Sequence, residues 1–501
     1  MSPSERNPVR PPPPFGASTT QEIKAALWQA ADRLRGSVDA AEYKEYVLGL
    51  IFLKYVSDAF EEYRSERRER LAAEGFDEDR FAEGLEEREF IEAGVIWVPR
   101  TARWSWIVAR ANTTRVGELI DEAMNAITEA NPSLAGALPT IFRRGTVDQR
   151  RLAEVVDLIG RVRIDGTWDR SARDVLGEVF EYFLDNFARA EGKRGGEFYT
   201  ARSVCRLVVG ILEPRRGRVY DPACGSGGML VQADRYVEAH GGNPRELAFY
   251  GQEINERTWR LARMNLAVHG MEGDLGAQRG DTLADDQHPE LKADFVLAHP
   301  PFNVLDWARN EADPRWVYGV PPPGNANYAW LQHAISKLSE RGTAGIVLAN
   351  GSMASRSPSE RQIRRALVEA DLVASVVALP GQLFHSTQIP ACLWVLTKDK
   401  SADRRDRILF IDAREMGVMV SRTERELSDE DLAKITGSYH MYRDEPGFCV
   451  SAGVETVREH EYALTPGRYV GAAPVRAESP ESPEPRAGTE RLTKDLYGVF
   501  N

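Results

Sequence analysis

The sequence predicts an α/β protein: a doubly wound sheet preceded by an all-α domain and followed by a short C-terminal tail helix. Three observations predict it. Apolar positions recur at helical spacing from Gln21 to about Arg70 and again between Trp97 and Ile164. From Arg218 onwards, short β-branched and apolar runs alternate with helical stretches. At the first alternation lies Asp221-Pro-Ala-Cys-Gly-Ser-Gly-Gly-Met-Leu230, a glycine-rich turn from strand to helix, which is where an open α/β sheet binds a nucleotide-like ligand.

A chain of 501 residues has length for two domains or more. Residues 1–20, with Arg10-Pro-Pro-Pro-Pro-Phe15, read as a disordered leader. Residues 21–165 read as a helical domain. In it Leu27, Ala30, Ala31 and Leu34 form one stripe, and Tyr43, Tyr46, Val47, Leu50, Ile51 and Leu53 form the next after the Gly36-Ser-Val-Asp39 turn. The charged run Glu61 to Glu92 is its solvated face or a loop. Val116 to Ala130 and Asp148 to Val162 are further helices, and the boundary falls near Asp165-Gly-Thr-Trp168.

Residues 166–471 read as the domain that carries the sheet. Val175, Val179, Phe180, Phe183 and Leu184 make an apolar stripe that ends at the glycine-rich Glu191 to Thr200, before a helix from Ser203 to Leu212. Arg218-Val-Tyr220 and Met229 to Glu238 flank the ligand loop as strand and helix. Further strands are expected at Ala248–Gln252, Ala277–Arg279, Asp294–Ala298, Ala344–Ala349, Val373–Leu379 and Ala391–Thr397. Lys398 to Tyr469 reads as irregular, residues 472–490 as a Pro/Glu/Ser linker and residues 491–501 as the amphipathic tail helix.

Composition excludes several classes. No apolar run reaches the ~18 residues of a membrane helix, and the first residues have no apolar core for a signal peptide. A cytoplasmic protein without membrane contact is expected. Cys205, Cys224, Cys392 and Cys449 are scattered without a C-x-x-C pair, so neither a zinc site nor a disulfide framework is indicated. A formal charge of -12 means that any DNA the chain acts on is gripped largely by something else, because phosphate neutralisation supplies most non-specific affinity.

The candidate site follows the strand ends. Gly225, Gly227 and Gly228 permit a sharp turn and close approach to a ligand. A dinucleotide fingerprint would need glycine where Leu230 stands, and a phosphate loop would need a lysine that the turn lacks. Asp221 places a carboxylate there instead, suited to a cationic ligand end such as the amino group and sulfonium of S-adenosylmethionine. Glu253, in Tyr250-Gly-Gln-Glu-Ile-Asn255, is placed for ribose hydroxyls, and Asp281, in Arg279-Gly-Asp-Thr-Leu283, for an adenine amino group. One acid alone is an ordinary surface residue; three on successive strand ends are a site. After the fourth strand comes Ala298-His-Pro-Pro-Phe-Asn303, whose paired prolines fix an extended turn and leave carbonyls free to hold a planar amine.

Here the sequence resembles the N6-adenine DNA methyltransferases, whose catalytic motif is Asn/Asp-Pro-Pro-Tyr/Phe, and among them the modification subunits of type I restriction-modification systems. Leu27-Trp28 through Arg35-Gly36, Glu42-Tyr43-Lys44 and Gly49-Leu-Ile-Phe-Leu-Lys-Tyr-Val-Ser-Asp58 are similar to that family's helical domain. Glu191 to Thr200, Trp316-Val-Tyr-Gly-Val320, Gly324-Asn-Ala-Asn-Tyr-Ala-Trp-Leu-Gln332, Leu379-Pro-Gly381, Ile389-Pro390 and Leu464-Thr-Pro-Gly-Arg-Tyr469 resemble its other landmarks. The resemblance implies a methyltransferase sheet, S-adenosylmethionine as donor and adenine in DNA as acceptor. It implies a sequence-specificity subunit and a second copy of the chain as partners, and leaves a restriction (nuclease/translocase) subunit open. It places His299, Pro300, Pro301 and Phe302 at the transfer site, the Pro300 carbonyl on the amine and Phe302 stacked on a flipped base. It sets Phe198, Tyr199, Thr200 and Leu283 beside the donor with Asp221, Glu253, Asp281 and the three glycines.

Position 299 departs from the family, which has asparagine there. Two readings stay open. A neutral imidazole nitrogen can accept one N–H in the amide's place, with activity falling as pH drops through a histidine pKa of about 6.5. Alternatively, the chain is a donor-binding scaffold of a DNA-defence complex that has lost transfer. Ala201 and Gln388 replace a common proline and glycine and bear on loop geometry.

Overall fold

The structure is a computed structural model that describes residues 19–35, 40–73, 83–111, 115–144, 147–162, 172–191, 199–384 and 389–471. The leader as far as Ser18, the Asp165–Trp168 boundary, Phe198, Gln388, the linker 472–490 and the tail 491–501 lie outside the described residues.

The chain opens on helices. Helix α1 (Thr20–Asp32) starts inside the expected leader, because Thr19 and Glu22 form a capping box that satisfies the first backbone N–H groups. Helix α2 (Ala40–Ala73) takes in the first part of the charged run, which is therefore the solvated end of a long helix, and α3 (Glu83–Glu92) holds its last part. Helices α4 (Trp104–Val108), α5 (Val116–Ala130) and α6 (Gln149–Gly160), the last capped by Asp148, complete the unit with α7 (Ala172–Glu191). Their stripes meet in one apolar core in which the Tyr46 hydroxyl donates to the Ile141 carbonyl at 2.9 Å.

The stripe of α7 (Val175, Val179, Phe180, Phe183, Leu184) is buried in this helical core, although α7 leads into the sheet. Leu261, Met264 and Val268 of α10 (Glu256–Val268) enter the same core, and the Tyr55 hydroxyl donates to the Val268 carbonyl at 3.0 Å. The helices and the sheet thus share apolar surface, bordered by ion pairs such as Arg257–Glu45 and Arg235–Glu181.

The sheet carries nine strands in the order β11-β8-β6-β7-β5-β4-β1-β2-β3. They are β1 (Gly217–Asp221), β2 (Leu247–Gly251), β3 (Gly273–Asp274), β4 (Ala293–Ala298), β5 (Leu338–Ala349), β6 (Val373–Ala378), β7 (Ala391–Thr397), β8 (Arg407–Asp412) and β11 (Cys449–Gly453). A separate hairpin pairs β9 (Val418–Met419) with β10 (Arg425–Glu426). From β3 to β5 every pairing is parallel, with helices α8 (Arg202–Leu212), α9 (Gly228–Ala239) and α10 on the connections. Helices α11 (Asn327–Lys337), α12 (Pro358–Glu369), α13 (Asp429–Met441) and α14 (Val454–Glu459) complete the cover, so both faces are apolar. The doubly wound class holds, with β7 antiparallel to both β5 and β6.

Two expectations need correction. The third strand is Gly273–Asp274 and not Ala277–Arg279: Gly276, at φ 79°, turns the chain off the sheet edge, and Gly280 N–H bonds the Glu253 carbonyl beyond the end of β2. Lys398 to Tyr469 is not irregular, since β8 and β11 extend the main sheet and α13 packs on α8. Among the described residues no helix is long and apolar enough to cross a membrane.

Strand order reverses between β1 and β4, since the chain proceeds outward through β2 on one side and β5 on the other. Their carboxyl ends therefore diverge and leave a crevice, the position at which such sheets hold ligands.

Candidate active site

The loop after β1 is shaped by backbone constraints. Cys224 N–H donates to the Gln252 carbonyl and Gln252 N–H to the Asp221 carbonyl, both at 3.0 Å, which locks the ends of β1 and β2 together. Gly225 (φ 55°) and Gly227 (φ 81°) take left-handed backbone that a side chain would strain, whereas Gly228 simply opens α9. The Asn265 amide donates to the Ser226 carbonyl at 2.8 Å and holds the turn against α10.

Asp221 is 2% exposed, and Oδ1 accepts the Ala223 N–H at 3.0 Å. Burial, helped by the neighbouring Glu253 and opposed by the Ala223 N–H, pushes its carboxyl up to about 8, and among the described residues no basic side chain offsets it. Glu253, also buried, accepts Gly225 N–H on Oε2 at 3.1 Å and Asn255 N–H on Oε1 at 2.8 Å, so one carboxylate braces the glycine loop and the start of α10. Asp281 is half-buried and accepts Leu283 N–H at 3.0 Å, while the Thr282 hydroxyl donates to the Pro222 carbonyl at 2.6 Å and draws this loop to the first. The three acids expected on strand ends therefore share one end of the sheet, although Asp281 sits on a loop seven residues beyond β3.

Arg315, which the sequence reading passed over, holds this loop from outside. It donates to the Thr282 and Leu283 carbonyls at 2.9 and 2.6 Å, is fixed by Asp313, and reaches Nδ1 of buried His333 at 2.9 Å. Leu283 is buried among Trp316, Ala326, Ala329 and Trp330.

Across the crevice the chemistry changes. His299, half-buried at the end of β4, lies 2.9 Å from the Thr200 hydroxyl through Nδ1. Its ring stacks on Phe384 at 4.7 Å and 28°, and meets Phe302 edge-on at 5.2 Å. Phe302 and Phe384 stand nearly perpendicular at 5.8 Å. Burial lowers the His299 imidazole to about 4, and no charged side chain among the described residues contributes. The loss of activity expected as this histidine takes up a proton therefore falls near pH 4, below the unperturbed value of about 6.5. Pro300 is buried and Pro301 exposed. Asn303 has φ 54°, and its side-chain oxygen accepts from Asn325 at 3.2 Å and Asn327 at 2.9 Å, which ties the Pro-Pro turn to the start of α11.

Thr200 thus stands beside His299, while the Tyr199 ring packs against the helical core. Gly324-Asn-Ala-Asn was legible as a landmark without a role, which the Asn303 bonds supply. Phe384 follows Leu379-Pro-Gly381 by three residues, and only its position in space reveals it.

Residues 171–478 match the N-6 DNA methylase family, and residues 23–159 match the HsdM N-terminal domain. The chain is 44% identical over 402 residues to the type I restriction enzyme HindI methylase subunit of Haemophilus influenzae, covering 75% of this chain and 90% of the relative. The chain belongs to the N-6 DNA methylases, as a type I methylase subunit. It is 36% identical over 475 residues to the MjaIX methylase subunit of Methanocaldococcus jannaschii, covering 90% and 84% of the two chains. A crystal structure of a type I restriction-modification methyltransferase subunit from Streptococcus thermophilus superposes on this methylase subunit with a TM-score of 0.77 at 27% identity, covering 90% of this chain and all of that one. A modification subunit from Vibrio vulnificus shares the fold at a TM-score of 0.63 and 19% identity.

Proposed function

We propose that this methylase subunit moves the methyl group of S-adenosylmethionine to the exocyclic amine of adenine in DNA. The observation that carries the reading is the division of the crevice, with buried acids at the ends of β1 and β2 facing a neutral, aromatic pocket at the end of β4. The donor fits the first half, because Asp221 is a buried carboxyl without a basic partner and a cationic ligand is what would hold it ionised. Asp221 takes the donor's amino end, Glu253 its ribose hydroxyls and Asp281 its adenine amine. When bound, the donor supplies an electrophilic methyl on a sulfonium.

The remaining chemistry belongs to the chain. The target amine is delocalised into its ring, so acceptors must hold its N–H groups and aim the nitrogen lone pair. Neutral His299 accepts one N–H and the Pro300 carbonyl the other. Phe302, with Phe384 at right angles to it, provides the faces against which a base flipped from the duplex rests.

Partners follow from charge and fold. The net charge of -12 opposes tight DNA binding by the chain alone. The described residues from Lys398 to Gly471 add β8 and β11 to the sheet. The chain's relatives are methylase subunits of type I restriction enzymes, so in this reading a separate specificity subunit reads the DNA and a second copy of the chain completes the modification complex. Nucleoside mass spectrometry of DNA incubated with the chain, a specificity subunit and isotopically labelled donor tests this. Labelled N6-methyladenine is the expected product. Donor binding without any labelled base would favour the second reading, a scaffold that lost transfer with the asparagine at position 299.

A further inference from the structure

An imidazole in place of an amide creates a problem that the amide does not have. Asparagine presents a fixed acceptor oxygen, whereas neutral histidine carries one proton on either of two nitrogens. The target amine donates, so a bare nitrogen must face it; the wrong tautomer would oppose N–H to N–H. His299 makes one hydrogen bond among the described residues, between Nδ1 and the Thr200 hydroxyl at 2.9 Å, in which the tautomer decides the donor. The ring cannot readily turn over to exchange its nitrogens, because Phe384 lies flat against one face and Phe302 abuts its edge. Thr200 is held in turn at the start of α8, where its carbonyl accepts the Cys205 thiol at 3.7 Å.

We propose that Thr200 is a positioning residue that selects the tautomer of His299: its hydroxyl oxygen accepts the Nδ1 proton and leaves Nε2 bare for the target amine. The proposal rests on the methyl-transfer reading and deepens it, since it gives Thr200 a role on the acceptor side of the crevice. Because burial holds the ring neutral down to about pH 4, selection between nitrogens matters at every pH at which the chain would work.

The direct test needs no turnover. In the full chain labelled with nitrogen-15 histidine, the His299 signals are those that vanish in His299→Asn among the eight histidines. They should show a protonated Nδ1 and a bare Nε2, and Thr200→Val should shift the proton toward Nε2 while Thr200→Ser should not. With a specificity subunit and DNA, Thr200→Val should lower kcat at saturating donor about tenfold, and serine should restore most of the rate. In a His299→Asn background there is no tautomer to select, so Thr200→Val should cost less than about twofold. A bare Nδ1 in the parent, or an equal loss in both backgrounds, overturns the proposal. A parent that transfers no methyl group defeats the methyl-transfer reading instead and leaves the nitrogen assignment to be decided by the spectra alone.

Discussion

The two sides of the crevice solve opposite problems with the same backbone plan. On the β1–β2 side, Asp221 and Glu253 are buried, and their carboxylates accept N–H groups of the loops around them. On the β4 side nothing charged among the described residues acts on His299, and its neighbours are two rings and the Thr200 hydroxyl. The difference teaches where each ligand carries its charge. A cation justifies keeping carboxylates out of water, whereas a neutral base is better held by flat faces and a few acceptors.

The largest expected effect breaks the charged side. Asp221→Ala should weaken donor binding about 100-fold by calorimetry, since it removes the buried partner of a cation; unchanged affinity in Asp221→Ala, Glu253→Ala and Asp281→Ala together would undo the site. On the neutral side, His299→Ala should lower the rate of methyl transfer by about 30-fold while donor affinity stays within about twofold. His299→Asn should keep or raise that rate. If His299→Ala instead abolished donor binding, the two sides would not be separable.

Acidity sharpens the contrast. Donor affinity should fall as pH drops below about 8, because Asp221 then takes up a proton it must lose to face a cation. Asp221→Asn should flatten this dependence. Without donor, the same carboxyl burdens the fold: its pKa is raised, so the stability it contributes is present below the ordinary carboxylate range and is lost as pH rises through about 8. Asp221→Asn should therefore melt a few degrees higher than the parent above pH 8. His299 has the opposite sign. Its lowered pKa leaves full stability above about 6.5, lost as pH falls through about 4, and turnover should show no inflection from this ring between pH 6 and 8.

The smallest effect is indirect. Arg315→Met removes the clamp on the Thr282 and Leu283 carbonyls and leaves the Asp221, Glu253 and Asp281 side chains unchanged. It should weaken donor binding about fivefold and leave the rate at saturating donor nearly unchanged.

The legible parts share a physical reason. β1, β4, β6 and β7 are buried apolar or β-branched runs bounded by turn residues, and the sequence marks such runs directly. β5 starts at Leu338, six residues before Ala344, because Ser339-Glu-Arg-Gly-Thr343 reads as a turn yet continues the strand. β8 escaped notice because Arg407-Ile-Leu-Phe-Ile-Asp412 has no alternation to separate a buried strand from a loop among charges. In the site, Asp221, Glu253 and the glycines could be found by their place after β1 and β2, whereas Asp281 follows Ala277–Arg279, an expected strand that does not form. Phe384, Arg315 and the Asn303 bonds could not, since each depends on partners distant in sequence or on a loop path no pattern encodes.

One feature of the sheet also governs how it can be assembled. β7 lies between β5 and β6 although it is made after both. As the chain leaves the ribosome, β6 has no seat beside β5 until residues 391–397 emerge, and the open edge of β5 must wait through that interval. A nascent chain halted after Leu383 would hold all three glycines and all three acids, yet would lack the strand that joins β6 to β5. Synthesis and insertion of that one hairpin partner therefore set the moment at which the outer strands become part of the sheet.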